Sequence, residues 1–394
     1  MRIFIIPSII FLVVAIITDV VIARRLIRWR CFTGRIAFLA HILLSVLALG
    51  FMAYMLTMPK GLGFTAMIYA LFAIIGFYVC KWVYSLTHGI IWLVGLIRRK
   101  RVRSIERWSA LAGFITMGVL AWSSLVTPNN LCINREEIVT SRLPKQFDGY
   151  KIVQISDIHL GTFAGDTSLI SKTVAAINAE KPDLICFTGD LVNALSTETD
   201  GYTSILHRLH ARNGVVSILG NHDYGDYYRW PSRAERDKNL QHLCDIEQSR
   251  GWTMLRKAEM TINRGAEQIC IIGVENWGGR HFATYADLRK AHTGLRDKQF
   301  KILLSHNPEH WKQQVIPETN IDLMLAGHTH AMQCTVGFGK WKISPSKLIY
   351  KQWGGLYSNG NQHLYVNIGL GEVGVPLRIG ANPEITVITL KHGK

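Results

Sequence analysis

Residues 3–23, IFIIPSIIFLVVAIITDVVIA, contain a single charged side chain, Asp19, in a run as long as a bilayer is thick. A hydrocarbon core of about 30 Å takes roughly 20 apolar residues of helix to cross. Backbone placed there must satisfy its own hydrogen bonds, so a uniformly apolar run of this length has helix as its only stable form. The pattern recurs at 36–56 (IAFLAHILLSVLALGFMAYML) and at 108–126 (WSALAGFITMGVLAWSSLV). Between them, 61–97 is too long for one simple span. We read it as one crossing over 62–85 with a helical extension on the cytoplasmic side, marked by Lys81 and His88; a two-span hairpin is the alternative. The first segment could instead be a cleaved leader, but its basic flank follows the apolar run rather than preceding it. Residues 1–130 are therefore expected to form a helical membrane domain of about four spans.

Charge supports that division. The formal net charge is +16. Through Asn130 there are fourteen Lys and Arg against two acidic residues, and beyond it thirty against twenty-six. The second part is nearly balanced, which argues against a polyanion-binding surface and leads us to expect no nucleic acid partner. The basic excess sits in two linkers, RRLIRWRCFTGR and RRKRVRSIER, whereas TMPKG between the second and third runs has one Lys. Positive loops stay in the cytoplasm. With four crossings, the chain is expected in the inner membrane, multi-pass, with its C-terminal domain outside the cytoplasm. A hairpin at 61–97 would reverse that side. Five cysteines follow the membrane part (Cys132, Cys186, Cys244, Cys270 and Cys334), scattered and without CxxC. They read as free thiols, buried in the case of Cys186 and Cys270, which lie in apolar strand runs.

From about Leu143 to Lys394 short apolar runs alternate with amphipathic ones. KIVQIS, DLICFT, GVVSIL, KILLS, DLMLA, HLYVNIG and EITVITL read as strands; AEMTI and QICIIGV read as a hairpin-like pair. Helices are expected over 168–180, 201–212, near 232–249 and near 284–293. Strands interleaved with helices, then mostly strands, suggest α/β layers around more than one sheet.

Five of these strands end in the same kind of residue. The blocks are SDIHLG with Asp157 and His159, TGDLVN with Asp190, LGNHDYG with Asn221, His222 and Asp223, LSHNPEH with His306, and LAGHTHAMQC with His328 and His330. Singly, each has an ordinary explanation: a helix cap, a turn, a hydrogen-bonded core histidine. Together and in order, at strand ends where α/β folds place their sites, they point to one cluster. Carboxylate, imidazole and amide oxygen without thiolate suit two borderline divalent ions, Mn, Fe, Zn or Ni, better than a structural zinc site. Two Asp, two dications and one hydroxide leave a net charge near +1, complementary to a phosphodiester. Such a pair of ions binds phosphoryl oxygens and activates water.

The D-x-H, G-D, G-N-H-D, H and G-H-x-H blocks resemble the calcineurin-like metallophosphoesterase superfamily over about 150–390. The tail LYVNIGLGEVGVPLRIGANPEITVITL is similar to that of bacterial transmembrane proteins with a metallophosphoesterase domain. The resemblance implies a four-layer-type α/β sandwich of two mixed sheets flanked by helices, over 143–394. It implies that Asp157, His159 and His330 hold one ion, that Asp190 bridges, and that Asn221, His306 and His328 complete the second. His222 would then protonate the leaving oxygen, oriented by Asp223. Relatives often have G-H-T-H-G-G-Q where this chain has Ala331 and Met332, and an Arg where it has Ile368. The expected substrate is a phosphodiester, envelope-derived or lipid-linked, with membrane lipids as neighbours. A lipid pyrophosphate hydrolase of the UDP-2,3-diacylglucosamine type on the cytoplasmic face is one alternative, and a non-catalytic metal-binding sensor another. A transport role would rest on Asp19, Lys81 and His88. Tyr224, Tyr227, Tyr228 and Trp230 beside the histidine either meet a headgroup or simply pack; Glu275, Trp277, Arg280 and His281 either line the cleft or merely close a loop.

Overall fold

The computed structural model of the chain describes residues 2–27, 32–57, 64–99, 104–279, 283–338 and 341–393; the side chains of 2–9, 55–57, 64–68 and 338 are not described. Cys31, Arg280 and His281 lie outside the described residues. The chain separates into two compact units, residues 1–122 with 374–376 and the remainder.

The first unit contains four helices: α1 (Arg2–Ile27), α2 (Phe32–Thr57), α3 (Phe64–Ile97) and α4 (Ile105–Leu125). Among the described residues three stretches are long and apolar enough to cross a membrane: Phe32–Tyr54, Tyr69–Ile97 and Ile105–Asn129. Their outward faces carry Leu39, Leu43, Leu47, Trp92, Phe114 and Trp122, as lipid contact requires. Apolar character in α3 continues to Ile97, beyond the expected end at 85. The helix is continuous over 34 residues, about 51 Å at 1.5 Å per residue, so 64–97 is not a hairpin.

Among the described residues, one group of polar side chains inside this unit is paired. The Asp19 carboxylate accepts from Lys81 Nζ at 2.6 Å and from the Tyr78 hydroxyl at 2.8 Å. Lys81 Nζ also donates to Ser45 Oγ at 2.7 Å, and His41 Nε2 lies 3.2 Å from the Asp19 carbonyl. An unpaired charge among apolar helices is costly, and this cluster joins α1, α2 and α3 so that none is left. His88 faces Glu106 at 3.5 Å, with Tyr84 donating to the same carboxylate.

The second unit holds the strands β1 (Cys132–Thr140), β2 (Tyr150–Ile155), β3 (Leu184–Phe187), β4 (Val215–Ser217), β5 (Thr253–Met254), β6 (Ala258–Arg264) and β7 (Glu267–Gly273). They continue with β8 (Phe300–Leu304), β9 (Leu323–Ala326), β10 (Val336–Phe338), β11 (Trp341–Ile343), β12 (Gly355–Asn359), β13 (Gln362–Val366) and β14 (Glu384–His392). Its helices are α5 (Ser168–Ala179), α6 (Thr203–Leu206), α7 (Arg233–Ser249), α8 (Leu288–Ala291) and α9 (Ile316–Glu318). Two six-stranded mixed sheets form, in the orders β1-β14-β2-β3-β4-β5 and β12-β13-β9-β8-β7-β6, with β10 and β11 as a separate hairpin.

Strands such as KIVQI and LICF are apolar on both faces because both faces are covered. Ile152, Cys186 and Val216 of the first sheet meet Ile271, Ile302 and Leu325 of the second. On the outer face of the first sheet Val153, Ile155 and Ile185 pack against Ile170, Val174 and Ile177 of α5, which recur at helical spacing. Ile272, Leu303 and Met324 do the same with Trp311 and Val315 on the other side. The result is the helix–sheet–sheet–helix layering expected.

Some elements differ from expectation. Helix in 201–212 is confined to α6, and after it Arg208 and Leu209 donate to carbonyls three residues back, so the segment winds as separate turns. Likewise 284–293 keeps only α8. Strand β1, CINREEIVT, was hidden by its charges; it is an edge strand, and its Arg135 and Glu137 face solvent while its backbone pairs in parallel with β14. Strands β2, β3 and β4 run parallel in one sheet, and β7, β8 and β9 in the other. The five polar blocks leave the C-terminal ends of β2, β3, β4, β8 and β9. Cys186, Cys244 and Cys270 are buried free thiols.

Candidate metal centre

All seven expected ligand side chains converge. Donor atoms of Asp157, His159 and His330 lie within 4.8 Å of one another, as do those of Asp190, His306 and His328. In the first group His159 Nε2 faces His330 Nε2 at 3.1 Å, and His330 Nε2 lies 3.2 Å from Asp157 Oδ1. In the second, His306 Nε2 lies 3.1 Å from Asp190 Oδ2 and 3.0 Å from Asn221 Oδ1, which is 2.8 Å from His328 Nδ1. Asp190 Oδ2 is also 3.7 Å from His159 Nε2, so one carboxylate stands between the two groups. Ring nitrogens and carboxylate oxygens crowded this closely repel unless cations or protons lie among them. The donor set therefore fits two divalent ions, with the oxygen and nitrogen ligands that borderline metals take.

Neighbouring groups fix which nitrogen points inward. His306 Nδ1 donates to the Thr188 carbonyl at 2.8 Å, leaving Nε2 for the cluster. His328 turns Nδ1 inward, so its proton belongs on Nε2, which donates to the Tyr350 hydroxyl at 3.0 Å. Burial alone would depress His306, but Asp190 and Asp157 outweigh it and hold the imidazole up at about 10. Burial, and then the nearby His306, push His328 down to about 3. Burial works against the Asp190 carboxylate, yet His306 and His222 hold it well below its ordinary range. The protein thus has ionised carboxylates in a buried place, which is where a dication binds most strongly.

The backbone is bent to achieve this. Asp157, His159, Asp190, His328 and His330 all have positive φ, between 47° and 75°. Left-handed backbone is uncommon for side chains with a Cβ and clusters at functional sites. Two glycines permit the close approach: a Cβ on Gly220 would sit 2.2 Å from Asp190 Oδ1, and one on Gly327 would sit 2.1 Å from Asp157 Oδ2. The His328 N–H donates to Asp157 at 3.0 Å, tying the end of β9 to the end of β2 across the two sheets.

His222 and Asp223 are arranged differently from expectation. The His222 ring stands edge-on to His159 at 4.8 Å, but its Nδ1 is held by the Asn193 carbonyl at 2.8 Å rather than by Asp223. Asp223 is fully buried and accepts the N–H groups of Asp190, Leu191 and Gly220, each at 2.8 Å. It holds the β3 and β4 loops together instead of orienting the imidazole. The substituted positions Ala331 and Met332 keep the left-handed backbone, φ 52° and 47°. Ile368 has no cationic stand-in at Arg378, whose buried guanidinium donates to the carbonyls of Gly369, Gly371 and Ala381.

Two tyrosines contact the cluster, and the sequence placed neither of them there. Tyr227 receives a hydrogen bond from Asn221 Nδ2 at 2.8 Å and its ring lies tilted against His222, centroids 4.4 Å apart, and Tyr350 contacts His328. Tyr227 had been grouped with aromatics of unassigned role, and Tyr350 sits in a loop with no motif. By contrast, Tyr224 packs on Tyr285, Trp277 stacks on His310, and Glu275 is paired with Arg256 and Lys257.

Comparison with known proteins agrees with this geometry. The family described as calcineurin-like phosphoesterase matches residues 150–332. An uncharacterized metallophosphoesterase of Bacillus subtilis, YkuE, is 32% identical over 71% of this chain and 93% of its own length. A transmembrane protein with metallophosphoesterase domain of Danio rerio is 28% identical over 79% of this chain and 72% of its own. The UDP-2,3-diacylglucosamine pyrophosphatase LpxG of Chlamydia trachomatis is 28% identical over 64% of this chain and 86% of its own.

Proposed function

Because the chain belongs to the calcineurin-like metallophosphoesterases, we propose that it is a membrane-anchored, two-metal hydrolase of a phosphodiester, envelope-derived or lipid-linked. The observation that carries this reading is Asp190, standing between two complete donor groups. Asp157, His159 and His330 would hold one ion, Asn221, His306 and His328 the other, with Asp190 shared. Ions there supply positive charge for phosphoryl oxygens and lower the pKa of a bound water from about 15.7 to about 7. The protein's own contribution is placement. Asn193 fixes the His222 ring so that Nε2, in the protonated form, is the nitrogen that gives a proton to the leaving oxygen.

Purified full-length protein with Mn²⁺ is expected to cleave a bis-aryl phosphodiester. Asp190→Asn should lose both turnover and one equivalent of metal. His222→Asn should lose a factor of about 10²–10⁴ in kcat with metal content unchanged. A sample carrying two metal ions and inactive on phosphodiesters would sink the proposal and favour a sensor role.

A second reading follows from the Chlamydia relative: hydrolysis of a lipid-linked pyrophosphate, which we would place at the cytoplasmic face. The two basic linkers and the unbroken α3 favour the opposite side. Reporter fusions after Lys394 separate the two readings, and UDP-2,3-diacylglucosamine is the substrate to test beside the diester.

A further inference from the structure

Between Asp322 and Glu372 the chain has no acidic residue, and Lys340, Lys342, Lys347 and Lys351 fall in that interval. The same interval contains the β10–β11 hairpin and a one-turn 3₁₀ helix, Pro345–Leu348. Its side chains are unusually apolar for their exposure: Trp341 is 89% exposed, Leu348 90%, Ile343 63% and Val336 61%. Val336 and Ile343 are cross-strand partners, and exposed apolar side chains grouped in this way mark an interaction surface.

The base of the segment is fixed. Ser344 and Ser346 are buried, and Ser344 Oγ donates to the Ala331 carbonyl at 2.6 Å. One end leaves the turn that carries His330, and the other ends at Tyr350, against His328. The segment is therefore anchored at both ends beside the metal centre, with its apolar side chains turned to solvent.

We propose that residues 336–338 and 341–349 form a membrane-docking surface, which lays Trp341, Ile343 and Leu348 into the bilayer edge and sets Lys342, Lys347 and Lys351 against anionic headgroups. Tryptophan prefers the headgroup level, lysines reach polar ground from an apolar surface, and a basic face with apolar side chains is the mark of interfacial binding. A second copy of this chain is the poorer occupant. A two-fold contact through this segment would set its lysines against one another with no carboxylate between Asp322 and Glu372 to offset them. Docking would bring the headgroup plane alongside His328 and Tyr350. The ester presented there is one that stays at headgroup depth in an amphiphile. The docking itself does not depend on the catalytic reading.

The test uses the full chain in nanodiscs of phosphatidylethanolamine and phosphatidylglycerol. An environment-sensitive fluorescent amino acid is placed at position 348 and, as a control, at the exposed Lys238 on α7. Bromine on the acyl chains should quench the probe at 348 at least twofold and leave the probe at 238 unchanged. Trp341→Glu with Ile343→Glu should remove that quenching. The Asp190→Asn protein should quench as the parent does, which separates failure of docking from failure of catalysis. Equal response at both positions overturns the proposal. So does a probe at 348 that is shielded only as protein per disc increases, since that outcome means self-association.

Discussion

At the scale of single residues the site is a strained object. Four consecutive residues, His330, Ala331, Met332 and Gln333, hold φ between 47° and 53°. Each such residue with a Cβ costs roughly 1–2 kcal/mol. Met332 is 42% exposed, so little packing is at stake there. Met332→Gly is therefore expected to stabilise the protein by about 1 kcal/mol, measured as a shift in the urea midpoint with unchanged slope. That the candidate ligands come together was legible in the sequence, because each follows an apolar strand and strand ends meet at one rim. What holds His222 was not. A backbone carbonyl such as that of Asn193 leaves no trace in residue identity, whereas the neighbouring Asp223, the natural choice, accepts the Asp190 N–H.

At the scale of elements, the apolar runs announced the helices, and their polar residues hold them together. Lys81 and Asp19 belong to different helices, and removing one partner leaves the other buried and unpaired. Lys81→Met should cost about 3 kcal/mol, read by thermal or SDS denaturation in detergent. Adding Asp19→Leu should recover most of that loss. If the double variant is no better than the single one, the pair is not what joins α1 to α3. Strands with both faces covered, such as β3 and β8, were plain from composition. Strand β1 was not, because an edge strand with one wet face looks like a loop. The short helices were overestimated because apolar residues such as Leu206 and Leu209 recur at helical spacing in turns as well.

At the scale of the whole molecule, the donor atoms come from both sheets: β2, β3 and β4 supply Asp157, His159, Asp190 and Asn221, while β8 and β9 supply His306, His328 and His330. Metal removal should therefore lower the unfolding temperature as well as stop turnover. An ion at a thousand times its Kd adds about 4 kcal/mol per site, and a chelator takes it away. A melting curve with and without chelator checks this, and an identical midpoint would count against ions shared between the sheets. On the proposed reading, the seam that performs the chemistry would also be the rivet of the sandwich. Metal supply would then govern the lifetime of the protein as well as its rate, since proteases sample whatever fraction has sprung open along that line.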